Sequence, residues 1–189
     1  MVAIFGGSFS PVHIGHVNVA RAIVDNALAD EVWMLPCRRN PLKEAGKVMM
    51  EDDVRLGLLN QAAEYANAKY FGTEQKIKID SIELSLPQPS YTCVTMRELE
   101  RRYPGMRFRI VMGGDSYLGF DRWKDAEWLE REFAPIVYPR PGFKLEKLKE
   151  GWTILENVPE FSASSSEIRA GRGLPEWQPW INGGVIGNQ

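Results

Sequence analysis

The chain has 189 residues, 44% of them hydrophobic, and a formal net charge of −2. That length and composition allow one sizeable core, read as a single domain over residues 1–189, and the near-neutral balance excludes a general nucleic-acid binder, which needs a basic field. Two cysteines, Cys37 and Cys93, stand without a CxxC pattern, so a disulfide framework and a zinc ribbon are excluded; no basic leader and no run approaching about 18 apolar residues is present, and a cytoplasmic chain without membrane association is expected.

Val2 to Phe5 is a continuous apolar run suited to a central strand covered on both faces. Gly6 and Gly7 follow and remove side chains where a ligand can approach the backbone. Ile14, Val17, Ala20, Ile23, Val24, Ala27 and Leu28 recur at helical spacing, so a helix starts near Ile14 with its free N–H groups aimed back at the glycine turn. Such a helix entrance is a phosphate site. Both histidines of the chain, His13 and His16, stand there three residues apart, on one side of the first turn. Histidine pairs at this spacing also bind metals or sit on polar surfaces, but neither a third histidine nor a nearby cysteine pair exists to complete a metal site. Their place after strand, Gly-Gly and turn points to phosphate.

Glu31 to Leu35 is a second strand, closed by Pro36, and strand–helix–strand at this spacing is a right-handed parallel βαβ unit. The next segment, Cys37 to Lys47, carries four cations, a proline and a glycine without apolar periodicity: a loop beyond a strand's carboxyl end, where open α/β sheets bind ligands, or simply a solvated edge. Glu51, Asp52 and Asp53 suit the first turn of a helix whose inward stripe is Val54, Leu58, Ala62 and Tyr65, with Arg55 as a loop anchor. Ile77, Ile79, Ile82 and Leu84 read as a strand with a bulge between Asp80 and Ser81, ended by Pro87 and Pro89. Ser90 or Thr92 caps the helix carrying Val94, Met96, Leu99 and Tyr103. Arg107 to Met112 is the fourth strand, and Gly113-Gly114-Asp115 repeats the logic of the first turn, or is only a turn. A short helix through Leu129, a fifth strand at Pro135–Tyr138, a rigid turn at Pro139–Gly142 and a solvated Lys/Glu connector over residues 143–151 follow. Trp152 to Leu155 is a final strand. Phe161 to Arg169 opens a helix whose serine run is an anion site, a linker or a cap. The tail from Gly171 shows no repeat.

The string Gly6-Gly7-Ser8-Phe9-Ser10-Pro11-Val12-His13-Ile14-Gly15-His16 resembles the first signature of the nucleotidylyltransferase superfamily, and within it that of the bacterial nicotinate-nucleotide adenylyltransferases. Ser164-Ser165-Ser166-Glu167-Ile168-Arg169 resembles the superfamily's second signature, in the expected order. The resemblance implies a Rossmann-like, doubly wound α/β fold with a mainly parallel sheet and helices on both faces. It implies that His13 and His16 are catalytic, and that Gly6, Gly7, Ser8, Phe9, His16, Lys43, Asp115, Ser164, Ser165 and Arg169 hold ATP. Thr92, in Ser90-Tyr91-Thr92, Trp123, by stacking, and Arg140, in Arg140-Pro141-Gly142, serve the nicotinate mononucleotide end. Two positions depart from the family pattern: Ser10 stands where Asp is usual, and Leu42 where the loop has His.

The implied reaction transfers AMP from ATP to nicotinate mononucleotide, with Mg²⁺ accompanying ATP and no protein-held metal site. Nicotinamide mononucleotide and phosphopantetheine remain alternative acceptors, and a non-catalytic nucleotide-binding regulator an alternative role. A dehydrogenase is disfavoured, because the first turn lacks G-x-G-x-x-G.

Overall fold

A computed structural model describes residues 1–38, 49–140, 142–143, 148–158 and 163–182. Six parallel strands form one sheet in the order β3-β2-β1-β4-β5-β6: β1 Val2–Gly7, β2 Glu31–Pro36, β3 Ile77–Ile79, β4 Phe108–Gly113, β5 Ile136–Tyr138 and β6 Thr153–Ile154. The chain winds outward from β1 to β3, then returns to start again at β4 beside β1. The carboxyl ends of β1 and β4 therefore diverge, and such a switch point is where open sheets admit ligands.

Strand periodicity splits the core in two. Ala3 and Phe5 point to one face, with Val32 and Met34, and pack under helices α1 (Ile14–Asp25) and α2 (Asp52–Ala66). Val2 and Ile4 point to the other, with Trp33, Leu35 and Ile110, under α4 (Thr92–Arg102) and α6 (Ala126–Phe133). The short helices α3 (Ile82–Ser85), α5 (Gly114–Tyr117), α7 (Ser165–Arg169) and α8 (Pro179–Asn182) complete the described helices, with a π turn at Asn67–Phe71 and 3-10 turns at Phe120–Arg122 and Pro175–Trp177. Asn67 stands in for a strand neighbour, its side-chain amide accepting from Ile77 N–H at 2.9 Å and donating to Ile77 C=O at 2.8 Å.

Three elements differ from the sequence expectation. The third strand stops at Ile79 instead of bulging on to Leu84, because Asp80 captures the Ile82 N–H with its carboxylate at 2.8 Å and starts α3. On α2, Val54 is 45% exposed, and the buried face runs through Arg55, Leu59, Ala62 and Ala66. The N-cap of α4 is Tyr91, with no side-chain cap from Ser90 or Thr92. Cys37 and Cys93 are both buried, and neither is in a disulfide. Among the described residues no helix is long and apolar enough to cross a membrane.

Candidate active site

The glycine turn ends β1 at the switch point. A Cβ on Gly7 would fall 2.9 Å from Phe9 Cζ, so this glycine makes room for the protein's own ring. A Cβ on Gly6 would meet nothing within 4 Å, and Gly6 is exposed. The fold leaves that space open, as a ligand approaching the backbone would need. Phe9 holds φ at 42°, a left-handed conformation costly for a residue with a side chain. It is fixed there because its buried ring packs edge-on against Phe5 and His16, with centroids 5.5 and 5.0 Å away. What Phe9 can offer a nucleotide is therefore main chain.

His13 is the N-cap of α1 and His16 lies in its first turn, their ring centroids 3.8 Å apart. His16 Nδ1 accepts the His13 backbone N–H at 3.1 Å, which leaves Nε2 to carry the proton in the neutral imidazole. His13 is buried, and its ring lies so close over Gly15 that a Cβ there would be 3.0 Å from Nδ1. Burial, and secondarily the positive charge of Arg140, lower the His13 pKa from 6.5 to about 4. Near neutrality His13 is an uncharged hydrogen-bonding group. Its Nδ1 is buried without a partner among the described residues.

The serine run and the first turn, more than 150 residues apart in sequence, meet. Ser165 Oγ donates to the Pro11 carbonyl at 2.9 Å, and Arg169 donates from its guanidinium to the Ser10 carbonyl. Gln178 donates to the Val12 carbonyl at 2.8 Å. Ser164 is the N-cap of α7 with no side-chain cap bond, so its hydroxyl is not spent on the helix. Ser10, which replaces the family's usual Asp, is buried and accepts the Met50 N–H at 2.9 Å. From the other side Arg55, fully buried, donates to the carbonyls of Ser8 at 2.6 Å and Cys37 at 2.8 Å and pairs with Asp52. The turn is thus fastened by its carbonyls. The α1 entrance follows this turn directly, at the carboxyl end of β1. Lys43 lies outside the described residues.

The segments expected at the pyridine end also meet. Lys124 places its ammonium 5.0 Å over the Tyr91 ring, and Asp125 pairs with Arg97 at 2.7 Å, so the loop carrying Trp123 is fastened to the start of α4, where Thr92 lies half-buried. Trp123 is half-buried against Phe120, with centroids 5.3 Å apart. Phe120 stacks edge-on with Trp152 at 4.8 Å, and Glu130 accepts the Trp152 indole N–H at 3.1 Å. Lys149 bridges Asp121 at 2.6 Å and Glu130 at 3.0 Å beneath this aromatic group. Within the stretch read as a solvated connector, Lys149 is instead a brace for the Trp123 loop.

Asp115 and Arg140, assigned to opposite ends from the sequence, are bonded to each other at 3.0 Å across the ends of β4 and β5. Arg140 is also near enough to His13 to influence its charge state. Gly113 permits this corner, since a Cβ there would lie 2.5 Å from the Asp115 carboxylate and 3.1 Å from the Tyr138 phenol. Gly113, expected to open space for a ligand, instead makes room for the protein's own Asp115 and Tyr138, and no individual role for Gly15 or Lys124 was expected from the sequence. For Gly15 the signal was present, as the glycine between His13 and His16 in the first signature.

A cytidylyltransferase-like family model matches residues 4–171. A probable nicotinate-nucleotide adenylyltransferase of Bacteroides thetaiotaomicron is 38% identical over 167 residues, 88% of this chain and 78% of that protein. One of Porphyromonas gingivalis is 32% identical over 95% of this chain and 89% of its own length. Among solved structures, Plasmodium falciparum nicotinic acid mononucleotide adenylyltransferase complexed with NaAD superposes with a TM-score of 0.70 at 25% identity, covering 89% of this chain and 82% of that one.

Proposed function

The chain belongs to the cytidylyltransferase-like family, among the nicotinate-nucleotide adenylyltransferases, and from that membership and the site geometry we infer that it transfers AMP from ATP to nicotinate mononucleotide, giving deamido-NAD and pyrophosphate. The observation that carries this reading is the docking of Ser165 and Arg169 onto the Ser10–Pro11 turn beside His13 and His16, which gathers both phosphate signatures at one switch point.

The chemistry asks little of a general base. The attacking phosphate of the mononucleotide has a second pKa of about 6 and is largely dianionic near neutrality. One of its oxygens forms a bond to the α-phosphorus of ATP while the bond to the bridging oxygen of pyrophosphate breaks. Positioning and charge stabilisation do the rest. His16 Nε2–H and the first amides of α1 are donors for the α-phosphate. Arg169, Ser164 and Ser165 suit the departing pyrophosphate, with Lys43 in support. Gly6 admits the triphosphate against the backbone. Trp123 and Thr92 receive the pyridine nucleotide, and Asp115, held by Arg140, is an acceptor for ribose hydroxyls.

Among the described residues no group of three or more His, Cys, Asp or Glu side chains could hold a metal ion. Mg²⁺ would enter with ATP, bound mainly through phosphate oxygens and water, as this ion usually meets nucleotide sites. There it would neutralise phosphate charge. The test is pyrophosphate release by the purified chain with ATP and, in parallel, nicotinate mononucleotide, nicotinamide mononucleotide and phosphopantetheine. Release with the nicotinate nucleotide is expected. Release only with phosphopantetheine, or none, overturns the reading.

A further inference from the structure

The tail after Gly171 carries neither phosphate signature, yet it reaches the phosphate turn. Pro175 opens a 3-10 turn that ends at Trp177 and lies against α1, and α8, which follows, packs on α2. Trp177 and Trp180 are buried, and the Trp180 ring lies 5.9 Å from that of Tyr65 on α2. Between the two tryptophans stands Gln178. Its backbone is spent within the tail, the N–H on the Pro175 carbonyl at 3.2 Å and the carbonyl on the Ile181 N–H at 3.0 Å. Its side chain leaves the tail and donates from Nε2 to the Val12 carbonyl at 2.8 Å.

The carbonyls of Ser10, Pro11 and Val12 thus take donors from Arg169, Ser165 and Gln178. They are not equivalent. The Ser10 carbonyl shares its peptide group with the nitrogen of Pro11, which carries no hydrogen, and the Pro11 carbonyl shares its own with Val12. The Val12 carbonyl belongs to the peptide group whose N–H is that of His13, and this N–H donates to His16 Nδ1 at 3.1 Å. Gln178 and His16 therefore sit at opposite ends of one planar amide. A donor at the oxygen fixes the tilt of that plane and polarises its N–H, which strengthens the bond the N–H makes. The helix ladder does neither, since it begins one residue later, at the His13 carbonyl, which accepts the His16 N–H at 2.9 Å. We propose that Gln178 is a positioning residue for the transfer: through the Val12–His13 peptide it holds His16 in the orientation and tautomer that present Nε2–H to the α-phosphate. The inference rests on the nucleotidyl-transfer reading of the site, in which His16 is that donor.

Gln178→Met keeps the length and removes the donor, while Gln178→Glu is nearly isosteric and sets a carboxylate against the carbonyl; both leave the anchors Trp177 and Trp180 in place. The variants and the wild type are compared in pyrophosphate release with ATP and nicotinate mononucleotide, and in native-state hydrogen exchange of the isotope-labelled chain read by NMR. In Gln178→Met, kcat should fall about two- to tenfold, the range of one ordinary hydrogen bond, with the KM for nicotinate mononucleotide unchanged. The fall should be larger in Gln178→Glu. The His13 amide should exchange at least about threefold faster in Gln178→Met while the amides of β1 keep their wild-type rates. A merely structural role would speed β1 and His13 together, and that result overturns the proposal. So does unchanged exchange at His13, or an unchanged kcat in both variants. If the wild-type chain itself releases no pyrophosphate, the functional reading fails first and the proposal falls with it, whereas an active wild type with unaltered variants sinks the proposal alone.

Discussion

Nδ1 of His16 accepts the backbone N–H of His13 at 3.1 Å, so in the neutral imidazole the remaining proton of His16 sits on Nε2. The helix entrance thereby holds one of its own histidines as a donor with a fixed tautomer. His16→Ala removes that donor, and turnover should fall about 10²- to 10³-fold, the usual cost of losing one transition-state donor. Stability should change little, since His16 is only half-buried. Steady-state rates paired with thermal melts check this. A variant of near-normal turnover would remove His16 from the chemistry.

The glycines of the first signature should separate into two kinds. Gly7→Ala and Gly15→Ala would drive a Cβ to 2.9 Å from Phe9 Cζ and 3.0 Å from His13 Nδ1, and both should lose stability, by about 1–3 kcal/mol. Gly6→Ala meets no protein atom within 4 Å, so its melting temperature should stay near wild type while the KM for ATP rises or turnover drops. Equal melting losses at all three positions would show that Gly6 is also a packing residue.

His13 should leave a mark on stability between pH 6.5 and about 4. Its folded pKa is lowered to about 4, chiefly by burial, so below 6.5 the unfolded chain takes up a proton that the folded chain refuses. Stability from this residue is intact above pH 6.5, declines as pH falls, and levels off below about 4, with a total loss on the order of 3 kcal/mol. Denaturant unfolding of wild type and His13→Asn across that range tests the sign. The variant should lack this part of the acid slope, and identical slopes would contradict a neutral buried His13.

What the sequence disclosed was whatever is carried by neighbours along the chain. The apolar run of β1, the Gly6-Gly7 break, the histidines at the α1 entrance and the serine run of α7 are linear patterns, and both the parallel fold and the meeting of the two signatures were legible from them. Features decided by distant partners were not. The end of β3 is an exception, since Asp80 takes the Ile82 amide only two residues on, a local turn that the spacing of Ile77, Ile79, Ile82 and Leu84 masked. Lys149 looks like surface charge until Asp121 and Glu130, 28 and 19 residues away, close around it. The pairing of Asp115 with Arg140 was hidden for the same reason: β4 and β5 are neighbours only in the sheet.

Arg55 offers the sharpest test of how the turn is held. Its guanidinium is fully buried and divides its donors between the carbonyls of Ser8 and Cys37 and the carboxylate of Asp52. Ser8 follows the glycine turn and Cys37 follows β2, so one side chain fixes the spacing of two loops at the carboxyl edge of the sheet. Arg55→Met keeps much of the volume but leaves two carbonyls without their donor, at about 1–3 kcal/mol each. Arg55→Lys keeps the charge and loses the planar fork that reaches several acceptors together. Both variants should be destabilised, and where they remain folded the KM for ATP should rise, because the Ser8 turn is no longer clamped. Unfolding curves and ATP titrations of the two variants decide it. If Arg55→Lys kept both wild-type stability and wild-type ATP affinity, a single ammonium would be enough, and the forked clamp would not be what shapes the phosphate turn.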